Sequence, residues 1–261
     1  MAIFKHNGAD IHYTVKGEGE PIVLIHGFGL DSRIWNKQVE ELSKTNKVIT
    51  YDLRGFGKSS LPNGKYSHKE DLNELLKDLK IESAKIVGHS FGGEIAVEYA
   101  LTYPEKVKSL VLVSPGLGGT PGDNTEWNEL SRLGREGNIV GLRERMINNP
   151  MFKELRDNSE TKELIEEIIQ DYSGFHFTNR DPREYEDNRE KIKDIDCPVT
   201  LILGEKENKA VAEKFKEELG IEAKVIPGAG HMSMLEKPEV VSEAIKEEKN
   251  REFHSETRNL I

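Results

Sequence analysis

The stretch AKIVGHSFGG, residues 84–93, decides the fold, because it places Ser90 between a short apolar run and a helical pattern. The run AKIVGH is typical of a buried strand, and the residues from 91 to 103 are typical of a helix. A serine on a tight strand-to-helix turn needs small neighbours, which Gly88 and Gly92 supply. The stretch therefore predicts a nucleophilic Ser90 on such a turn, rather than a glycine-rich loop that happens to hold a serine.

Four more apolar runs rich in Val and Ile recur along the chain with helical patterns between them. They are PIVLIHG (21–27), KVITYDLRG (47–55), VKSLVLVSPG (107–116) and CPVTLILGE (197–205). Runs that do not alternate with polar residues are typical of parallel strands buried on both faces. This order predicts an α/β fold with a doubly wound, mostly parallel sheet, and the turn NGAD near the N-terminus predicts an antiparallel start.

Residues 117–195 interrupt this alternation. They contain three amphipathic stretches, near 126–136, 139–148 and 160–172, and no convincing strand. We expect a helical cap, inserted after the sixth strand, over the edge of the sheet where open parallel sheets bind ligands. Residues 1–116 and 196–261 would then form the core domain. The apolar residues of the cap would either line a pocket or pack on one another; they include Trp127, Leu130, Leu133, Met146, Phe152, Phe175 and Phe177.

Composition narrows the partners that the protein can have. The 261 residues carry 37 basic and 47 acidic side chains, a net charge of −10, and no basic run. Nucleic-acid binding and binding to anionic membranes are therefore disfavoured, and a small-molecule partner is favoured. No apolar stretch near the N-terminus is long enough for a signal peptide or membrane span, so a cytoplasmic location is expected. The single cysteine, Cys197, excludes an internal disulfide and a cysteine metal cluster, and monomer and homodimer both stay open.

Two further stretches carry polar groups toward the same edge of the sheet. The stretch IHGFG (25–29) ends a predicted strand, and its turn can aim the Phe28 N–H into the same pocket as the Phe91 N–H. The two amides would form an oxyanion hole. The stretch PGAGHMSMLEKPEVV (227–241) places His231 in a loop after the last predicted strand, where it can act as the general base.

Five motifs in this order resemble the α/β-hydrolase fold family over nearly the whole chain. They are HGFG (26–29), DLRGFGKS (52–59), GHSFGG (88–93), GEKEN (204–208) and GAGH (228–231). The resemblance implies a triad of serine, acid and histidine, an acyl-enzyme mechanism, no cofactor and no metal, often beneath a helical cap. A serine at position 90 distinguishes the chain from haloalkane dehalogenases and epoxide hydrolases, whose relatives carry aspartate there.

The acid of the triad departs from the family pattern. Similar hydrolases carry an aspartate three residues after the glycine that closes the penultimate strand, and this chain has Glu207 three residues after Gly204. Glutamate can accept the histidine Nδ1–H as aspartate does, with an extra methylene to accommodate. Glu205 is a second candidate, and a degraded triad is a third.

These observations together predict a carboxylesterase-like or lactonase-like serine hydrolase of small carboxylic esters, lactones or thioesters. The fold hosts many chemistries, so the motifs specify the reaction less well than the architecture. A carbon–carbon bond hydrolase and a cofactor-free haloperoxidase are alternatives within the enzymes. Outside them, a sensor that binds or slowly hydrolyses a small ligand is the alternative.

Overall fold

The computed structural model describes residues 2–116, 125–178, 181–184, 187–188, 190–207 and 209–247. The first eight residues of the expected cap, 117–124, lie outside the described residues, as does the terminal segment 248–261. Eight strands form one sheet: β1 (Ala2–His6), β2 (Ala9–Lys16), β3 (Glu20–Ile25), β4 (Asn46–Tyr51), β5 (Ala84–His89), β6 (Val107–Val113), β7 (Val199–Gly204) and β8 (Lys224–Ile226).

The strand order across the sheet is β1-β2-β4-β3-β5-β6-β7-β8. The pairs β1–β2 and β2–β4 are antiparallel, and every later pair is parallel. The doubly wound, mostly parallel sheet with an antiparallel start is thereby confirmed. The order reverses beside β3, so the carboxyl ends of β3 and β5 flank a topological switch point, where open α/β sheets bind ligands.

The helices alternate with the strands as the apolar periodicity predicts. They are α1 (Asn36–Leu42), α2 (His68–Asp78), α3 (Phe91–Thr102), α4 (Thr125–Arg135), α5 (Ile139–Ile147), α6 (Ser159–Asp171), α7 (Ala210–Leu219), α8 (Ser233–Glu236) and α9 (Pro238–Lys246). Helix α1 packs on α9, and α3 packs on α2 and β5. The central strands are buried on both faces, since Val23, Leu24 and Ile25 of β3 are fully buried. Each such side chain contributes about 1.5–3 kcal/mol through burial.

Helices α4, α5 and α6 lie in the chain between β6 and β7, and each begins and ends within one residue of its predicted position. In the described part of this insertion there are also three 3₁₀ segments, Pro150–Asp157, Phe175–Phe177 and Ile192–Asp194. Helix α4 packs on α5 and on the segment Phe175–Phe177, while α6 packs on α5 and on Pro150–Asp157. The helices of the insertion therefore pack on one another and on its 3₁₀ segments.

Candidate active site

Ser90 occupies the turn between β5 and α3 with φ 52° and ψ −117°. A non-glycine residue in this region costs about 1–3 kcal/mol, so the surroundings must hold it there. The Ser90 N–H donates to the Val113 carbonyl at 3.1 Å, and the Ser90 carbonyl accepts the N–H groups of Gly93 at 2.8 Å and Gly116 at 3.1 Å. These bonds to β6, to α3 and to the residues after β6 fix the strained turn.

The glycines around Ser90 leave no room for side chains. A Cβ on Gly88 would lie 2.2 Å from the Gly92 carbonyl oxygen, and a Cβ on Gly92 would lie 2.4 Å from the Ile25 carbonyl oxygen. Both clashes are with backbone atoms, which cannot move aside without displacing β3 or α3. A Cβ on Gly93 would lie 2.7 Å from Pro115 Cβ. The turn therefore depends on glycine at each of these three positions.

His231 and Glu207 are hydrogen-bonded to each other. His231 Nδ1 lies 2.8 Å from Glu207 Oε1. The other carboxylate oxygen, Oε2, accepts the Ser114 hydroxyl at 2.5 Å and the Gly204 N–H at 2.8 Å. Burial raises the pKa of Glu207, but the hydrogen bonds from His231, Ser114 and Gly204 outweigh it and leave the pKa below its usual value. An ionised Glu207 accepts the Nδ1–H of His231, which leaves Nε2 free to act as a base.

Ser114 is the member of this group that sequence reasoning missed. It follows β6 with φ 47°, a strained conformation for a serine, and its side chain reaches Glu207 on the neighbouring strand end. The signal in the sequence is weak: a polar residue directly after the apolar run VLV, on the strand that pairs with β7.

Glu205, the second candidate acid, has a different partner. Its Oε2 accepts the Gly228 N–H at 2.8 Å, and the residue is exposed. Of the two candidates, Glu207 is the one whose carboxylate contacts His231 in the described part of the chain.

Ser90 and His231 line the same cavity. His231 Nε2 is buried and has no hydrogen-bond partner among the described residues. Hydrogen bonds between a catalytic base and its nucleophile are often long or poorly aligned before substrate binds, and they tighten in the complex. The arrangement can thus deliver the Ser90 proton to Nε2 once a substrate orders the serine hydroxyl.

The loop after β3 brings Gly27 and Phe28 to the cavity wall. The fully buried His26 holds this loop in place through two hydrogen bonds. Its Nδ1 donates to the Gly27 carbonyl at 2.8 Å, and its Nε2 accepts the Leu53 N–H at 2.9 Å. Phe91 opens α3, where the first N–H groups of a helix have no intrahelical acceptor. The Phe91 ring packs against the Phe28 ring and under the Arg183 guanidinium, at 5.8 Å and 4.8 Å.

The cavity has a volume of about 300 Å³ and is mostly apolar in its lining. The insertion contributes the greater part of that lining: Glu126, Trp127, Leu130, Met146, Asn149, Met151, Phe152 and Phe177. Leu133 and Phe175 are not among the lining residues that the structure describes. Phe28 joins the two sides, since its ring lies 4.9 Å from that of Trp127 and 5.3 Å from that of Phe177.

The described residues contain no cluster of three or more His, Cys, Asp or Glu side chains that could hold a metal ion. Among the helices of that part of the chain, none is both long and apolar enough to cross a membrane.

The family model described as alpha/beta hydrolase fold matches residues 20–146. A thermophilic esterase from Thermogutta terrifontis is 28% identical in structure-based alignment, with a TM-score of 0.77, covering 91% of this chain and 92% of that one. An N-acyl homoserine lactone degrading enzyme, Est816, is 26% identical with a TM-score of 0.75, covering 93% and 98%.

Among curated proteins, one of Bacillus subtilis strain 168 is 29% identical over 273 residues, covering 91% of this chain and 94% of that protein. It is provisionally named as a 2-succinyl-6-hydroxy-2,4-cyclohexadiene-1-carboxylate synthase. Other curated relatives match over shorter stretches, and the chain spans between 23% and 43% of their length. The sheet order, the glycine-lined serine turn and these likenesses together show that the chain has the α/β-hydrolase fold.

Proposed function

We propose that this protein is a serine hydrolase that cleaves small carboxylic esters, lactones or thioesters through an acyl-enzyme. The observation that carries the proposal is the hydrogen bond between His231 and Glu207 beside a cavity that Ser90 also lines. A nucleophile, a base and a group that orients the base are the elements of covalent acyl transfer.

In the first half of the reaction Ser90 Oγ attacks the carbonyl carbon while His231 Nε2 takes the hydroxyl proton. Glu207 stabilises the imidazolium through Nδ1–H, and the same proton passes from Nε2 to the leaving group. In the second half, water loses a proton to Nε2 and attacks the acyl-enzyme, which releases the acid and regenerates Ser90. The bond formed to Ser90 is thus the bond broken in the second half.

The N–H groups of Phe28 and Phe91 would stabilise the oxyanion of both tetrahedral intermediates. The positive end of the α3 dipole lies at the same turn and favours negative charge there. Each such donor lowers the barrier by roughly 3–4 kcal/mol, a factor of about 10² to 10³ in rate.

The insertion serves as a cap in this proposal. Its apolar residues would bind the acyl or acyl-like part of a small substrate, because the cavity wall that faces Ser90 is built largely from them. The likeness to an esterase and to a lactone-degrading enzyme, each above 25% identity, supports the same class of substrate.

The decisive experiment compares Ser90→Ala with Ser43→Ala on a series of p-nitrophenyl esters of increasing chain length. Ser43 directly follows α1 and lies just before β4, at the edge of the sheet opposite the carboxyl ends of the parallel strands. We expect Ser90→Ala to lose roughly 10⁴- to 10⁶-fold in kcat and the control to match wild type. Steady turnover supports the enzyme, whereas one acylation burst without later turnover would support the sensor. Wild-type turnover by Ser90→Ala would refute the mechanism.

A further inference from the structure

The main chain around His231 lies in a loop between β8 and α8, without the support of a strand or helix of its own. Glu207 orients the imidazole ring but does not hold the backbone that carries it. The position of Nε2 therefore depends on other contacts to this loop. Two of them come from neighbouring loops and strands: the Lys206 N–H donates to the Ala229 carbonyl at 3.0 Å, and His89 Nε2 donates to the His231 carbonyl at 3.1 Å.

A third contact comes from Glu236, at the end of α8. Its Oε2 accepts the Gly230 N–H at 2.8 Å. Gly230 is the residue directly before His231 in the chain. The carboxylate of Glu236 thus holds the main chain next to the histidine through a charge-assisted hydrogen bond, which is stronger than one to a neutral acceptor.

The surroundings of Glu236 disfavour the ionised form of its carboxylate. Burial raises the pKa of Glu236, the charge of Glu154 raises it further, and the Gly230 amide and the charge of Lys206 act against them. Glu236 Oε1 is buried without a partner among the described residues, and Glu154 Oε2 approaches the same loop at Gly230. Lys206 Nζ lies 3.5 Å from Glu154 Oε1 and compensates part of the negative charge of the two glutamates. Buried carboxylates that destabilise the folded state in this way are expected mainly at functional sites.

We propose that Glu236 is a positioning residue for His231, which fixes the histidine main chain through the Gly230 amide and so places Nε2 against Ser90. The inference rests on the proposed function, in which His231 is the base. It assigns to Glu236 a contribution to the rate of acyl transfer and not to the affinity for substrate, because the structure places it against the loop and not among the cavity-lining residues.

The chain offers a matched control in Glu205. This glutamate accepts the N–H of Gly228, on the same loop and at the same 2.8 Å, but it is exposed and its partner does not flank the histidine. If any glutamate bond to this loop mattered only for folding, loss of either should have similar consequences.

The experiment measures kcat, KM, thermal stability and the NMR signal of the His231 Nδ1 proton in Glu236→Ala, Glu236→Gln and Glu205→Ala. A displaced catalytic group can cost up to about 100-fold in rate. We expect Glu236→Ala to lose between about 10- and 100-fold in kcat with KM within about twofold, and to shift or broaden the Nδ1 proton signal. Glu236→Gln should recover much of kcat, because its amide oxygen can still accept the Gly230 N–H. Glu205→Ala should keep both kcat and the signal.

Equal losses of kcat in Glu236→Ala and Glu205→Ala would overturn the proposal, as would a change confined to KM. An unshifted Nδ1 signal in Glu236→Ala would overturn it without any assay of turnover. Failure of the proposed function has a separate signature, since Ser90→Ala would then retain turnover while the proton signal still reports on Glu236.

Discussion

Glu207 uses the length of its side chain. One carboxylate oxygen contacts His231, and the other accepts from both Ser114 and Gly204, on the ends of two adjacent strands. An aspartate is shorter by one carbon–carbon bond, about 1.5 Å, and from the same backbone position it cannot keep all three contacts. The glutamate is thus fitted to its loop, and the departure from the family pattern has a geometric basis.

Replacing Glu207 by aspartate should lower kcat by about 10- to 100-fold, because the shorter carboxylate would hold His231 less well. The comparison variant is Glu205→Asp, which shortens an exposed side chain bonded to Gly228 and should leave kcat unchanged. Steady-state kinetics on one p-nitrophenyl ester suffices for both. A gain in activity by Glu207→Asp would mean that the native acid is poorly placed.

Ser114 can be tested with two substitutions that separate its hydroxyl from its backbone strain. Both Ser114→Ala and Ser114→Gly lose the hydrogen bond to Glu207, which as a bond to a charged group is worth about 1.5–3 kcal/mol, so both should lose about 10-fold or more in kcat. Only glycine tolerates the positive φ of this position without cost. Ser114→Gly should therefore have the higher melting temperature, and equal stabilities would contradict the strain.

At the level of elements, the turn between β5 and α3 depends on close backbone approach. Gly88→Ala would put a Cβ 2.2 Å from the Gly92 carbonyl oxygen, and we expect it to lower stability by about 3 kcal/mol and kcat by more than 100-fold. Gly64→Ala is the control: φ is +98° there, and no atom lies within 4 Å of the added Cβ. It should lose about 1–3 kcal/mol of stability and keep kcat. Normal turnover by Gly88→Ala, measured beside urea unfolding, would contradict the role given to this glycine.

The elements themselves could be predicted from the sequence, because buried parallel strands and amphipathic helices each have a recognisable pattern of apolar residues. The run VKSLVLV became β6, and the helices of the insertion fall within a residue of their predicted bounds. Contacts across elements could not be predicted so well. Ser114 meets Glu207 across 93 positions, and no local pattern encodes that pairing. Likewise, the rings of Phe56 and His176 stack with their centroids 4.0 Å apart and join a core loop to the insertion. No sequence motif predicts this contact.

On the scale of the whole molecule, the folded state holds several buried histidines in their neutral form. Burial lowers the pKa of His26, His68, His89 and His176, and for His176 the value falls to about 3. An unfolded chain would protonate all four near their usual value of 6.5. The folded state thus binds fewer protons than the unfolded state in the window below about pH 6.5.

The sign of the effect follows from that difference in bound protons. A group whose pKa is lowered by folding contributes stability that is complete above its unfolded pKa and is lost as pH falls toward the folded value. Each histidine removes at most about 1.4 kcal/mol per pH unit in that window, so the four together remove up to about 5.5 kcal/mol per unit. The raised pKa values of Glu236 and Asp71 act in the opposite direction and offset part of this loss.

His68 provides the test, because both its ring nitrogens are buried without hydrogen-bond partners in the part of the chain that the structure describes. His68→Leu should lose no hydrogen bond and should remove one site of proton uptake from the unfolded state. Urea unfolding between pH 8 and pH 5 should then show a slope flatter by about 1.4 kcal/mol per pH unit below pH 6.5, with little difference from wild type at pH 8. Parallel curves for the two proteins over the whole range would mean that His68 takes up its proton in the folded state, and that burial does not hold it neutral.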